Sequence, residues 1–167
     1  VPVPIETRAE DAFALDPARL AAAITPRTRA ILLNFPNNPT GGTLSEEQKA
    51  QIARIAVEND LVLLTDEIYA ELTYGPYGQC IASFPGMRER TVFLHGFSKA
   101  FAMTGYRIGY ACGPFPLIDA MMKIHQYSML CASSFAQEAA VEALRNGRQD
   151  MLRMVAEYEQ RRNVITA

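Results

Sequence analysis

Lys99 follows an apolar run, Thr91-Val92-Phe93-Leu94-His95-Gly96-Phe97-Ser98. A lysine placed just past a strand keeps its amine in a partly desolvated pocket. Desolvation and nearby cations lower an amine's pKa and favour the neutral nucleophile that forms a Schiff base with a carbonyl compound. Asp66 ends a second apolar run, Leu61 to Thr65, so its carboxylate is expected to be buried at a sheet edge. A buried carboxylate needs a cationic partner, and a protonated pyridine nitrogen is one. Tyr69, three residues on, could donate to the ring oxygen of such a cofactor, and the Asn38 amide beside that oxygen would stabilise its anion. Arg107, flanked by Gly105 and Gly109, offers a bidentate guanidinium suited to a phosphate monoester. Each residue also has a plainer explanation: a solvated loop lysine, a capping carboxylate, a packed tyrosine, a turn asparagine before Pro39 and Gly41-Gly42, a surface arginine.

Convergence is what raises these five above their plainer explanations, and the surrounding elements must supply it. Short β-rich apolar runs alternate with helical patterns, the signature of an α/β fold with a mostly parallel sheet, here expected as three layers, α/β/α. The opening Val1-Pro2-Val3-Pro4 leads straight into what reads as a short edge strand. Asp16 caps a short helix with Pro17 in its first turn, and Thr25-Pro26 stops it. Ala30 to Phe35 reads as a strand leading into the Asn37-Asn38-Pro39-Thr40-Gly41 loop. Ser45 and Gln48 stand at capping-box spacing ahead of a helix whose apolar stripe is Ile52, Ala53, Ile55 and Ala56. With the strand Leu61–Asp66 this makes one βαβ unit. A third strand covers Thr91–His95 and a fourth Tyr106–Cys112, with Arg107 at its start. Helices are expected over roughly 116–130, over 135–146 behind a Ser134/Gln137 box and closed by Gly147, and over 148–164. In open α/β sheets ligands bind outside the carboxyl ends of the strands. Asn38, Asp66-Glu67-Ile68-Tyr69 and Ser98-Lys99 all follow such ends.

Composition narrows the field. At 167 residues, 49% hydrophobic and 20% charged, the chain is one domain long. A net charge of −2 provides no basic footprint for nucleic acid. No apolar run approaches the about 18 residues that would suggest a membrane span. Cys80, Cys112 and Cys131 are odd in number and widely spaced, without metal-site spacing. They read as buried or half-buried thiols in a reducing cytoplasm.

Three segments occur together, in this order, in a known family. They are Asn34-Phe35-Pro36-Asn37-Asn38-Pro39-Thr40-Gly41, Thr65-Asp66-Glu67-Ile68-Tyr69, and the long run from Gly96-Phe97-Ser98-Lys99 through Met103-Thr104-Gly105-Tyr106-Arg107-Ile108-Gly109-Tyr110. The chain resembles the class I and II aminotransferases of the fold-type-I pyridoxal-phosphate (PLP) superfamily along essentially its whole length. The resemblance implies PLP as cofactor, and amino acids and 2-oxo acids as substrates. It also implies a homodimer. Lys99 resembles the residue that carries the cofactor and moves the proton between substrate Cα and cofactor C4′. Asp66 resembles the pyridinium partner, Tyr69 and Asn38 the pair on the phenolic oxygen, and Arg107 the phosphate clamp. It further implies a cis bond before Pro39. Many relatives have a hydroxyl residue three positions before the lysine; Gly96 stands there, so Ser98 or another segment would make that phosphate contact. Family members are more than twice this long. The chain is therefore expected to be the central part of the large domain, with the upstream phosphate-cradling loop and the small domain's carboxylate-gripping arginine outside it, and so an incomplete active site. Two alternatives share these motifs: a PLP-dependent lyase of the same fold, and an aminotransferase-like effector domain of a transcription regulator.

Overall fold

The structure is a computed structural model that describes residues 1–75 and 77–167. Its centre is a four-stranded sheet in the order β1 (Ala30–Asn34), β2 (Val62–Asp66), β3 (Thr91–Gly96), β4 (Gly109–Cys112). β1, β2 and β3 are parallel, and β4 closes the far side antiparallel to β3. This is the expected α/β class with a mostly parallel sheet.

Among the described residues five α-helices accompany the sheet: α1 (Pro17–Ala23), α2 (Glu46–Glu58), α3 (Phe115–Ser128), α4 (Ser134–Asn146) and α5 (Arg148–Thr166). α1 starts where Asp16 accepts a hydrogen bond from the Ala18 amide. α2 starts with the expected capping box: Ser45 takes the Gln48 amide at 3.1 Å while the Gln48 side chain takes the Ser45 amide at 2.8 Å. Its stripe of Ile52, Ala53 and Ala56 packs with Ile31, Leu33, Leu61 and Leu63 into the main core, joined by Leu15, Leu20, Ile81 and Met87. One face of β1 is thus sealed, while its other face leaves Leu32 72% exposed. A second cluster, Phe97, Met103 and Ala140, holds the segment after β3 against α4.

Four local expectations are corrected. Residues 1–8 form no strand: Pro2 and Pro4 lack amide donors, and no neighbouring strand pairs with the segment among the described residues. The fourth strand begins at Gly109 rather than Tyr106, because its ladder with β3 begins at the pairing Gly96↔Gly109. Thr104–Tyr106 forms a 3-10 turn instead, and Arg107 sits beyond it in the left-handed region at φ 54°. The cap of α4 is Ser133, not Ser134; one residue out of register, Gln137 donates to the Ala132 carbonyl and no box forms. Of the cysteines only Cys80 is half-buried; Cys112 and Cys131 are exposed.

Two substitutions separate the cap from the core. Ser45→Ala should lower the unfolding free energy of the intact protein by about 1 kcal/mol. Ile52→Ala, at a side chain fully buried, should cost about 2–5 kcal/mol. Denaturant midpoints at constant slope check both.

Candidate functional site

The parallel register pairs Asn34 with Asp66 and Asp66 with Leu94, so β1, β2 and β3 end at one edge. Each then delivers a polar loop there.

The loop after β1 is tied together by Asn37. Its amide nitrogen donates to the Gly42 carbonyl, its carbonyl accepts from Gly41, and its side chain bonds Asn34 and Thr40. Gly41 takes φ 73°, a conformation that favours glycine. The Phe35–Pro36 and Asn38–Pro39 bonds are both cis, the second as expected. With Asn37 occupied by the loop, the Asn38 side chain projects and donates to the Tyr69 hydroxyl at 3.0 Å.

The segment after β2 turns at once. Asp66 Oδ1 accepts from the Ile68 amide at 3.1 Å, and Tyr69 leads into the 3-10 turn Ala70–Leu72. Asp66 is half-buried rather than buried, because the turn lifts it to the rim of the sheet. Its second oxygen has no hydrogen-bond partner among the described residues.

The segment after β3 is a tight turn in which the Phe97 carbonyl accepts from both Phe101 and Met103. Phe97 and Ala100 are buried, so Lys99 between them is held at the surface of the second core cluster. Lys99 is half-buried, with Nζ 5.3 Å from the centroid of the Tyr69 ring, within cation–π range.

Four of the five predicted residues therefore share one edge, and Asn38, Tyr69 and Lys99 form a contiguous chain. Arg107 stands apart from that chain: it is exposed and donates to the Thr104 carbonyl at 2.8 Å within its own loop. Gly96 has a steric reason to be glycine. A Cβ there would lie 3.1 Å from Gly109 Cα and 3.2 Å from the Ile108 oxygen, so a hydroxyl side chain would need those neighbours to give slightly. Ser98 offers its carbonyl to the Thr104 hydroxyl at 2.9 Å. An open groove of about 630 Å³ runs past Asn38 and Tyr69, reached from α5 by Arg162, whose guanidinium lies 4.5 Å from the Tyr74 ring centroid.

Beneath this edge lies a polar layer that sequence reasoning missed. Glu67 is 3% exposed and its Oε1 accepts from the Thr65 hydroxyl and the Cys80 thiol, each at 3.2 Å. Burial, with Glu67 alongside, pushes the Cys80 thiol up to about 12. Lys49 is 2% exposed and donates to Glu46 and to the carbonyls of Tyr77 and Gln79. His95 Nε2 stands 2.8 Å from Glu71 Oε2. Burial opposes charge on both partners of that pair, yet their mutual attraction prevails, raising the His95 pKa and lowering that of Glu71. The one hint in the sequence was a histidine inside an otherwise apolar strand.

The family model for aminotransferases of class I and II matches residues 1–167. The chain belongs to that family. YugH of Bacillus subtilis (strain 168) is 51% identical over 165 residues, 99% of this chain and 43% of that protein. Aromatic-amino-acid aminotransferase 2 of Thermococcus litoralis is 43% identical over 167 residues, 98% of this chain and 43% of that protein. Among solved structures, aspartate aminotransferase from Thermus thermophilus with maleate superposes with a TM-score of 0.92 at 42% identity, covering 98% of this chain and 43% of that one. The chain thus spans less than half the length of these aminotransferases. The family's cofactor is PLP. No helix among the described residues is long and apolar enough to cross a membrane.

The two shifts give a pH prediction with a definite sign. His95 is raised when folded, so its share of stability is complete below the ordinary 6.5 and is lost as pH rises through the folded value. Glu71 is lowered, so its share is present above the ordinary 4.5 and is lost as pH falls through the folded value. The stability difference between wild type and Glu71→Ala should therefore peak between about pH 4.5 and 6.5 and shrink on both sides. Urea unfolding across pH 3–9 tests this; a difference independent of pH would refute the ion pair.

Proposed function

We propose that the intact protein is a PLP-dependent aminotransferase, moving an amino group from an amino acid to a 2-oxo acid. In this reading the chain is part of its large, cofactor-binding domain, and the enzyme works as a cytoplasmic homodimer. The observation that carries the reading is the chain Lys99–Tyr69–Asn38 at the same strand edge as Asp66.

The donor set fits the cofactor's chemistry. A lysine amine suits an aldehyde, a half-buried carboxylate with one oxygen free suits a pyridinium, and a phenol already receiving an amide hydrogen can pass its own hydrogen to an anionic ring oxygen. Bound PLP supplies an electron sink that makes the substrate's Cα–H acidic. Lys99 would anchor the cofactor through its amine, and its Nζ would be the base that takes the Cα proton. Asp66 would hold a proton on the ring nitrogen by charge pairing. Tyr69 and Asn38 would orient the ring through its oxygen. Arg107 would hold the phosphate, giving up the Thr104 carbonyl to do so.

The activities for which the relatives and the solved structure are named support transamination over lyase or regulatory chemistry. They divide between aromatic and aspartate substrates, and the proposal stops at the amino-acid class.

PLP added to the intact protein should produce a visible absorption band, and borohydride reduction should place the pyridoxyl label on Lys99. Lys99→Ala should lose the band and reduce transamination by about 10²–10⁴-fold or more. Asp66→Asn should keep the label site and lose activity on the same scale. A wild-type protein labelled elsewhere, or not at all, overturns the reading.

A further inference from the structure

His95 is the penultimate residue of β3, four residues before Lys99, and Glu71 lies two residues after Tyr69. Their 2.8 Å contact is the one side-chain hydrogen bond between the turn 68–72 and β3 among the described residues. On the other side of the ring, Nδ1 accepts from the Gly96 amide, also at 2.8 Å. With Nδ1 occupied as an acceptor, the neutral imidazole must carry its proton on Nε2 and donate it to Glu71. The ring is 8% exposed and wedged between aromatics: it stacks on Phe93 at 5.5 Å and lies 5.6 Å from Tyr110. It has no freedom to swing away from either partner.

The consequence concerns the distance between Lys99 and Tyr69. The last backbone link between their two segments is the Glu67 amide on the Leu94 carbonyl. Past that point each segment is tied mainly to itself, through Ala70 to Glu67 and Leu72 to Tyr69 on one side, and through Phe101 and Met103 to Phe97 on the other. We propose that His95 and Glu71 are positioning residues that set the Lys99 amine against the Tyr69 phenol, acting through the Gly96 backbone. The proposal rests on the reading of Lys99 as cofactor anchor.

The brace is also sensitive to protonation. A second proton can enter only at Nδ1, where it must displace the Gly96 N–H. Burial opposes that proton, Glu71 and, more distantly, Glu67 favour it, and the Tyr110 ring lies against the same imidazole. Titration of His95 is thereby transmitted to the backbone three residues before Lys99.

The test uses the intact protein and substitutions graded by what they preserve. His95→Gln retains an N–H donor that can reach Glu71; His95→Asn is too short to do so; Glu71→Ala removes the acceptor at a partly exposed position. Three quantities are measured: the pH midpoint of the visible band of Lys99-bound PLP, kcat and KM separately, and the Gly96 amide and His95 ring nitrogen NMR signals. The Gly96 amide should titrate together with the His95 ring. His95→Asn and Glu71→Ala should each move the band midpoint by about half a pH unit or more and lower kcat about tenfold with KM little changed. His95→Gln should restore the wild-type midpoint. A Glu71→Ala protein that folds, carries PLP on Lys99 and keeps both midpoint and kcat overturns the proposal, whether or not His95→Asn folds. So does a Gly96 amide that ignores the ring. Absence of any Lys99 band in the wild type is a different failure: it sinks the cofactor reading, and the positioning role falls with it.

Discussion

The parallel register of β1, β2 and β3 is the constraint on which the site depends. Because Asn34, Asp66 and Leu94 lie side by side, three chain reversals occur within a few ångströms of one edge. A parallel ladder places nothing but carboxyl ends on that edge. Each reversal must then satisfy its own freed amides and carbonyls, and the three do so differently. Asn37 spends its side chain on the loop, which leaves Asn38 free to project. Asp66 caps its turn with one oxygen and keeps the other. The Phe97 carbonyl absorbs two amides, which leaves the Lys99 side chain without a local duty. The groups available for chemistry are those the backbone did not need.

Under the edge, burial and hydrogen bonding pull in opposite directions. Glu67, Lys49 and His95 are all nearly inaccessible, and each would be costly there without partners. Glu67 has a hydroxyl and a thiol, Lys49 three oxygens, His95 a carboxylate and an amide. These contacts cross between elements: Lys49 of α2 holds the stretch Tyr77–Gln79, and Cys80 reaches back to the segment after β2. Whether such groups add net stability over an apolar core is a separate matter from specificity, and here they fix where the loops lie.

Features governed by local pattern were legible in the sequence. The Ser45–Gln48 box, the α2 stripe, the three parallel strands and the Asn38–Pro39 cis bond all follow from residues close in the chain or from the family motif around them. The misses share a cause, dependence on a distant partner. Val1-Pro2-Val3-Pro4 has valines suited to a strand but no neighbour to pair with among the described residues. Tyr106 and Arg107 look extended, yet β4 can begin only where β3 offers Gly96. Asp66 is the local exception: a buried carboxylate at the sheet edge was expected, and its bond to Ile68, two residues on, leaves it half-buried at the rim. His95 and Glu71 are 24 residues apart, and no periodicity relates a strand histidine to a glutamate in a separate turn.

The Gly96–Gly109 pairing also bears on where an anion could be held. The strands approach so closely there that neither residue can carry a side chain without displacing backbone; a Cβ on Gly109 would stand 2.9 Å from the His95 oxygen. The edge beside Lys99 is therefore bare of side-chain donors at that point. What the close approach provides instead is a short path from β3 to the left-handed corner at Arg107, two residues before Gly109. A guanidinium at such a corner has only an intraloop carbonyl to give up, and exchanging a neutral acceptor for a dianionic one favours the move. In the proposed reading, with glycine at 96, holding a phosphate would fall to Arg107, and an anion site there would be assembled by binding rather than preformed.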